Sequence, residues 1–331
     1  MPEADRAHLP PEVLSPLSPF KGEKPPAPAW FEWAIAQEPE RTFVTSGGVR
    51  IESLAWGERG KPGLLFVHGA SANADWWSFI APFFADDYRV VAMSLSGMGR
   101  SDWRERYAFE VFAQEMHDVA DAAGLNDAPV KPIYIGHSFG GGQVFFTAAR
   151  YPEHMSAAIL VDTGFGGPPP EVLAERQKRA ELLANNPSPD RPSRVYPTMA
   201  KALERFRLMP PQPAENAYIL DFIARRSLKA VPMPDGSGEG LTWKFDPNMW
   251  EKLDRSDGNF GGGETPALKV PAIHLYGDKS RIIGRRAAGE PTFLGANIRD
   301  IEIPDSHHHV MIDQPLALVA ALRTLLATWP A

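Results

Sequence analysis

Five short, almost wholly apolar runs recur along the chain, each about the length of one buried strand. They are LLFVHG (Leu64–Gly69), RVVAMS (Arg89–Ser94), PIYIGHS (Pro132–Ser138), AAILVD (Ala157–Asp162) and AIHLYG (Ala272–Gly277). A strand covered on both faces reads as a continuous apolar run, whereas a half-solvated one alternates. A sixth segment, IRDIEIP from Ile298, follows the same order. Helical patterns lie between the runs. Phe109–Gly124 carries apolar residues at three-to-four spacing and ends in glycine; Pro315–Trp329 opens on proline and is amphipathic. Buried strands alternating with helices predict an α/β fold, a mostly parallel sheet with helices on both faces. RTFVTSGGVRIESLAWG, from Arg41, adds two strands joined at Gly47 and Gly48, which brings the expected sheet to eight strands.

The alternation stops between Asp162 and about Val270. EVLAERQKRAELLA, YPTMAKALERFRLM and AENAYILDFIARRSL read as three helices, followed by a Gly/Asp-rich turn, LTWKFDPNMW and the loop DRSDGNFGGGETP. We expect a helical cap inserted after strand 6, not an independent domain. The expected organisation is a Pro-rich arm over 1–29 laid on the surface, a core over 30–162 and 270–331, and a cap over 163–269. Most bulky cap residues, such as Tyr196, Phe206, Tyr218, Phe222 and Trp243, are expected to serve packing.

Composition excludes several classes. The 331 residues carry a formal charge of −7 and no Lys/Arg block, which leaves no electrostatic footprint for nucleic acid or an anionic membrane. Without cysteine there are no disulfides, zinc–thiolate sites or thiol nucleophiles. The opening MPEADRAHLPPEVLSP has no basic region leading into an apolar stretch, and no run is long enough to span a bilayer; the expectation is a cytoplasmic protein of undetermined oligomeric state.

Gly136-His137-Ser138-Phe139-Gly140 matches G-x-S-x-G between an apolar strand and a helix opening. A sharp strand–turn–helix needs glycines because neighbouring backbone packs close, and the turn lifts the serine Oγ clear of the sheet. The helix start also directs amides to where negative charge would develop.

Four landmarks in order give the chain its resemblance to the α/β-hydrolase superfamily: His68-Gly69-Ala70-Ser71, Ser96-Gly97-Met98-Gly99-Arg100-Ser101-Asp102, the Gly136–Gly140 elbow, and HHVMIDQP. The resemblance covers nearly everything after the N-terminal arm. It implies that Ser138 is the nucleophile and that the amides of Ala70 and Phe139 form the oxyanion hole. His68 is expected to brace its loop, and His137 to pack beside the sheet.

The resemblance also sorts the run His307-His308-His309. The family's base lies five residues before an acid, and counting back from Asp313 lands on His308. A serine needs one neutral imidazole within reach, and three successive side chains in an extended loop diverge too much to share a metal. His307 then occupies a position usually held by glycine, with strain expected if that position requires positive φ. The family's acid usually follows the strand AIHLYG, three residues past the glycine, and Ser280 stands there. Asp162, at the end of AAILVD, is the preferred substitute, with Ser280 supporting it; Asp278 is the alternative.

A serine at the elbow argues against epoxide hydrolase and haloalkane dehalogenase chemistry, whose relatives use aspartate. The expected function is hydrolysis of a small-to-medium hydrophobic carboxylic ester through an acyl-enzyme, with a small-molecule ester as partner and no cofactor or metal. Lactonase, thioesterase, perhydrolase and carbon–carbon hydrolase chemistries remain alternatives, as does a non-hydrolytic receptor suggested by Ser280.

Overall fold

The computed structural model describes residues 9–164, 193–254, 256, 266–283 and 298–328. Eight strands form one sheet: β1 (Glu40–Ser46), β2 (Val49–Trp56), β3 (Gly63–Val67), β4 (Arg89–Met93), β5 (Ile133–His137), β6 (Ala157–Val161), β9 (Ala272–Gly277) and β10 (Ile298–Ile303), in the order β1-β2-β4-β3-β5-β6-β9-β10. β2 runs antiparallel to both its neighbours, and the rest pair in parallel. The β1–β2 turn uses Gly47 and Gly48 at φ 51° and 83°, the pair of positive values that a two-residue hairpin with matching twist requires.

Side-chain alternation along the central strands fills two cores. Leu64 and Phe66 of β3 and Ile159 and Val161 of β6 face one layer, with Trp77, Phe79, Leu318 and Leu322. Leu65, Val67, Ala158 and Leu160 face the other, with Phe112, Met116, Val144 and Phe145. The second layer contains the helices Phe109–Ala122 and Phe139–Arg150; the first contains the C-terminal helix Pro315–Thr328. Every position of β3, β4 and β6 is buried, which is why these strands read as apolar runs.

Between β6 and β9, helices at Met199–Leu203 and Ala217–Arg226 precede an antiparallel hairpin of β7 (Leu228–Pro232) and β8 (Glu239–Trp243). The sequence shows the turn but not the strands, which are largely exposed or half-buried and so lack an uninterrupted apolar run. The expected helix EVLAERQKRAELLA lies outside the described residues. Tyr196 and Phe206 both pack on Trp243, while Tyr218 and Phe222 close on Phe31 of the N-terminal helix Ala29–Ala36, with ring centroids at 4.9 and 5.7 Å. Farther upstream, Val13 and Leu17 are buried. Among the described residues no helix is long and apolar enough to cross a membrane.

Candidate active site

β5 ends at His137 and the helix Phe139–Arg150 begins two residues later, so one residue must make the turn. That residue is Ser138, at φ 51° and ψ −116°, a conformation that L side chains adopt only when the surroundings impose it. The surroundings do so through glycine. A Cβ on Gly136 would lie 2.5 Å from the Gly140 carbonyl oxygen, and one on Gly140 would run into the His68 carbonyl. The elbow is therefore pressed against the loop that follows β3. A Cβ built on Gly69 would come 2.8 Å from His137 Nδ1 and 3.4 Å from the Ser138 Cβ, so the residue before Ala70 lies against the elbow. Phe139 is the first residue of its helix, where an amide has no intrahelical acceptor. Among the described residues neither the Phe139 nor the Ala70 amide donates to another group.

The three histidines separate onto three partners. His308 is 2% exposed and reaches both ways: its Nε2 lies 2.9 Å from Ser138 Oγ and its Nδ1 2.7 Å from Asp162 Oδ1. His307 Nδ1 and its amide both donate to Asp313 Oδ2, at 3.0 and 2.7 Å. His309 Nδ1 and its amide both donate to Gln212 Oε1, at 2.8 and 3.0 Å, and Gln212 Nε2 donates onward to both oxygens of Asp313. Gln212 and Asp313 thus bracket His308 from either side. Asn216 Nδ2 adds a bond to the Ile312 carbonyl at 2.8 Å. The sequence carried no sign of Gln212, because its contact with His309 spans 97 residues. Strain at His307 does not arise: the positive φ in this loop falls two residues earlier, on Asp305 at 54°.

Asp162 is completely buried. Its Oδ1 accepts from His308 Nδ1–H and from Ser280 Oγ–H at 2.6 Å, and its Oδ2 accepts from the Gly277 amide at 2.9 Å. The backbone at Asp162 takes φ 45°, and its amide donates to the Leu275 carbonyl at 2.7 Å, tying the end of β6 to β9. Asp278 is turned elsewhere: its Oδ1 accepts from the Ser306 amide at 2.9 Å. With Nδ1–H committed to the carboxylate, the Nε2 lone pair of His308 faces the Ser138 hydroxyl, the tautomer a general base requires.

His137 and His309 pack on His308, with ring centroids at 4.8 and 4.9 Å, and burial depresses both of them and His68. Burial lowers His68 to about 4. Its Nδ1–H donates to the Gly69 carbonyl at 2.7 Å and its Nε2 accepts from the Leu95 amide at 3.1 Å, which pins the loop before Ala70. Burial, then the neighbouring charge of His308, pushes His137 and His309 well below the ordinary histidine value. His137 Nε2–H donates to the His308 carbonyl at 2.9 Å. A histidine whose folded value is depressed leaves the unfolded chain binding more protons, so stability is full above about pH 6.5 and falls as pH drops below it. The three side chains together are expected to steepen acid unfolding by up to about 4 kcal/mol per pH unit just below pH 6. Asp313 and Glu115, raised by burial, act in the opposite sense at lower pH and flatten the curve there. Urea melts between pH 4.5 and 7.5 check this; a flat profile from 6.5 to 5.5 would show that the histidines protonate in place.

A family model described as the alpha/beta hydrolase fold matches residues 62–315. The chain belongs to that family. This α/β-hydrolase is 32% identical to Epoxide hydrolase 4 of Homo sapiens over 148 residues, covering 43% of this chain and 39% of that protein. The match therefore spans well under half of that relative's length. It is 24% identical over 268 residues to the pimeloyl-[acyl-carrier protein] methyl ester esterase of Edwardsiella ictaluri, covering 80% of this chain and 92% of that one. The thioesterase domain from the curacin biosynthetic pathway superposes at TM-score 0.64 and 22% identity, over 88% of this chain and 99% of that domain, a likeness of fold alone. The relatives bear names of hydrolases with different chemistries, so the choice among them rests on the site.

Proposed function

We propose that this α/β-hydrolase cleaves carboxylic ester bonds of small-to-medium apolar substrates through an acyl-enzyme, with Ser138, His308 and Asp162 as its triad. The observation that carries the reading is the continuous contact Ser138 Oγ–His308 Nε2–His308 Nδ1–Asp162 Oδ1, at 2.9 and 2.7 Å. Ser138 Oγ attacks the carbonyl carbon as its proton passes to His308 Nε2. The imidazolium so formed is stabilised by Asp162, and the oxyanion by the amides of Phe139 and Ala70. His308 then protonates the leaving alkoxide; water, deprotonated by the same nitrogen, releases the acid.

Chemistry separates this reading from an epoxide hydrolase. Attack of a serine oxygen on an epoxide would leave an ether that water does not cleave, whereas attack on an ester leaves another ester. The same groups suit lactones and thioesters. The receptor reading loses its motive, because Ser280 donates to a carboxylate that is present. Half-buried Phe139, with Trp250 edge-on at 5.3 Å and 42% exposed, gives the surroundings of Ser138 an apolar character. We assign residues 163–269 as a cap, supported by the hold of Gln212 and Asn216 on the His308 loop.

The test is turnover of a p-nitrophenyl ester series from acetate to laurate, with fluorophosphonate labelling mapped to the modified residue. Turnover that is highest for the shorter chains, with label on Ser138, is expected. No turnover on any ester together with no label would sink the proposal. Gln212→Leu orphans the Nδ1–H and the amide N–H of His309 and removes both donations to Asp313, each orphaned buried group costing about 1–3 kcal/mol. It is expected to lower kcat about tenfold as His308 loses its fixed position, with a lower melting temperature. An unchanged kcat would limit Gln212 to packing.

A further inference from the structure

Away from Ser138, a groove of about 690 Å³ opens between the loop Gly99–Trp103, which follows β4, and strand β7 of the inserted hairpin. Four cations line it (Arg50, Arg100, Lys229 and Lys244) against one carboxylate, Asp102, in a chain whose formal charge is −7.

Lys244 is the anomaly. It is 9% exposed, and its Nζ donates to the Arg226 carbonyl at 2.6 Å. No carboxylate among the described residues lies within ion-pair distance of it. Lys252, a few residues on, shows the ordinary solution, with Asp246 at 2.9 Å. The carboxylates nearest in the field of Lys244 are already shared: Glu52 pairs with Arg41 and lies 3.8 Å from Arg100, and Asp75 pairs with Arg41 and Arg226 at 3.2 Å. Arg41, Arg100, Arg226 and Lys244 therefore stand against two acids. Burial lowers the Lys244 ammonium, and repulsion from Arg100 is the next cause. A buried ammonium with no counterion is expensive, and it persists where something else supplies the charge. At the groove mouth Lys229 is exposed, its Nζ 5.0 Å over the Trp103 ring, while Arg50 is committed to Asp102. Leu228, Ala230 and the Trp103 ring give the same groove an apolar wall.

We propose that this groove binds a soluble phosphomonoester, with the dianionic phosphoryl group between Lys244, Arg100 and Lys229 and the apolar body along Leu228 and Trp103. The excess of two cations over acids behind the groove matches a dianion, and guanidinium plus ammonium is the donor set that phosphate recognition uses. The site is independent of the proposed ester chemistry.

Thermal unfolding at constant ionic strength tests it, titrating inorganic phosphate, phenyl phosphate and benzoate against chloride. A ligand that binds only the folded state raises the melting temperature in proportion to ln(1 + [L]/Kd). Phenyl phosphate is expected to give a rise that follows this logarithm, setting in at lower concentration than with phosphate, with little response to benzoate. The rise should persist when Ser138 carries a fluorophosphonate label, which keeps the two sites apart. Lys244→Met should weaken phenyl phosphate binding by tenfold or more and, without ligand, change the melting temperature little, because relief of a buried charge without a counterion offsets the lost bond to the Arg226 carbonyl. Lys229→Gln and Arg100→Gln, on exposed side chains, should each weaken binding by about three- to tenfold and carry the test if Lys244→Met does not fold. No rise with phenyl phosphate beyond that with chloride, a rise equal in all variants, or a rise abolished by the Ser138 label would overturn the proposal.

Discussion

Ser138→Ala is expected to lower kcat on p-nitrophenyl esters by about 10⁶-fold, because in the proposed mechanism the change removes the atom that forms the covalent intermediate. Residual turnover of about 10³–10⁴ over the uncatalysed reaction should survive through the Ala70 and Phe139 amides. KM should move little, since the hydroxyl makes no contact that ground-state binding requires. The fold should tolerate the change: alanine at φ 51° is as strained as serine, and the loss is one hydrogen bond to His308. Ser138→Gly offers a second, independent reading of the same residue. Glycine adopts that backbone freely, so the variant is expected to be equally inactive yet about 1 kcal/mol more stable, the strain having been retained for the position of Oγ. A Ser138→Ala enzyme with more than a hundredth of wild-type kcat would show that another group attacks.

The central sheet was legible because burial on both faces writes itself as uninterrupted apolar runs; β4, β6 and β9 begin at the residues those runs name. The elbow was legible for a related reason, since close backbone approach at Gly136 and Gly140 forbids side chains there. Local signals failed where contacts are distant. The strands of the hairpin β7–β8 are largely exposed or half-buried, so neither carries the uninterrupted apolar run that marks the central strands. Gln212 lies among prolines at no recognisable spacing, yet it is the side chain that holds His309 and Asp313 on either side of His308. Asp313 served as a counting mark in the sequence, and the structure gives the mark a physical basis: its carboxylate gathers the loop it terminates. The triple histidine looked ambiguous only because adjacent letters share an appearance; their side chains meet an acid, a serine–acid pair and an amide.

Asp162→Asn should be the second severe lesion, lowering kcat by about 10⁴-fold, and Asp278→Asn should change it by less than about threefold. The asymmetry follows from hydrogen-bond polarity. All three groups facing the Asp162 carboxylate are donors: His308 Nδ1–H, Ser280 Oγ–H and the Gly277 amide. Asparagine must place its NH₂ somewhere. Toward Gly277 it opposes a fixed amide N–H, which leaves two buried donors unpaired at about 1–3 kcal/mol each. Flipped toward His308, it can donate only to an unprotonated Nδ1, which moves the ring proton to Nε2 and removes the lone pair that would accept the proton of Ser138. In neither orientation does a negative charge remain to balance the imidazolium. At Asp278 the amide oxygen of asparagine can still accept the Ser306 N–H, so nothing is orphaned. Ser280→Ala removes one 2.6 Å donor and leaves the charge in place, so a drop of about tenfold is expected, between the two extremes. Steady-state kcat for the three variants on one ester, with melting temperatures alongside, distinguishes the roles. Collapse of activity in Asp278→Asn with Asp162→Asn spared would transfer the acid to the loop after β9.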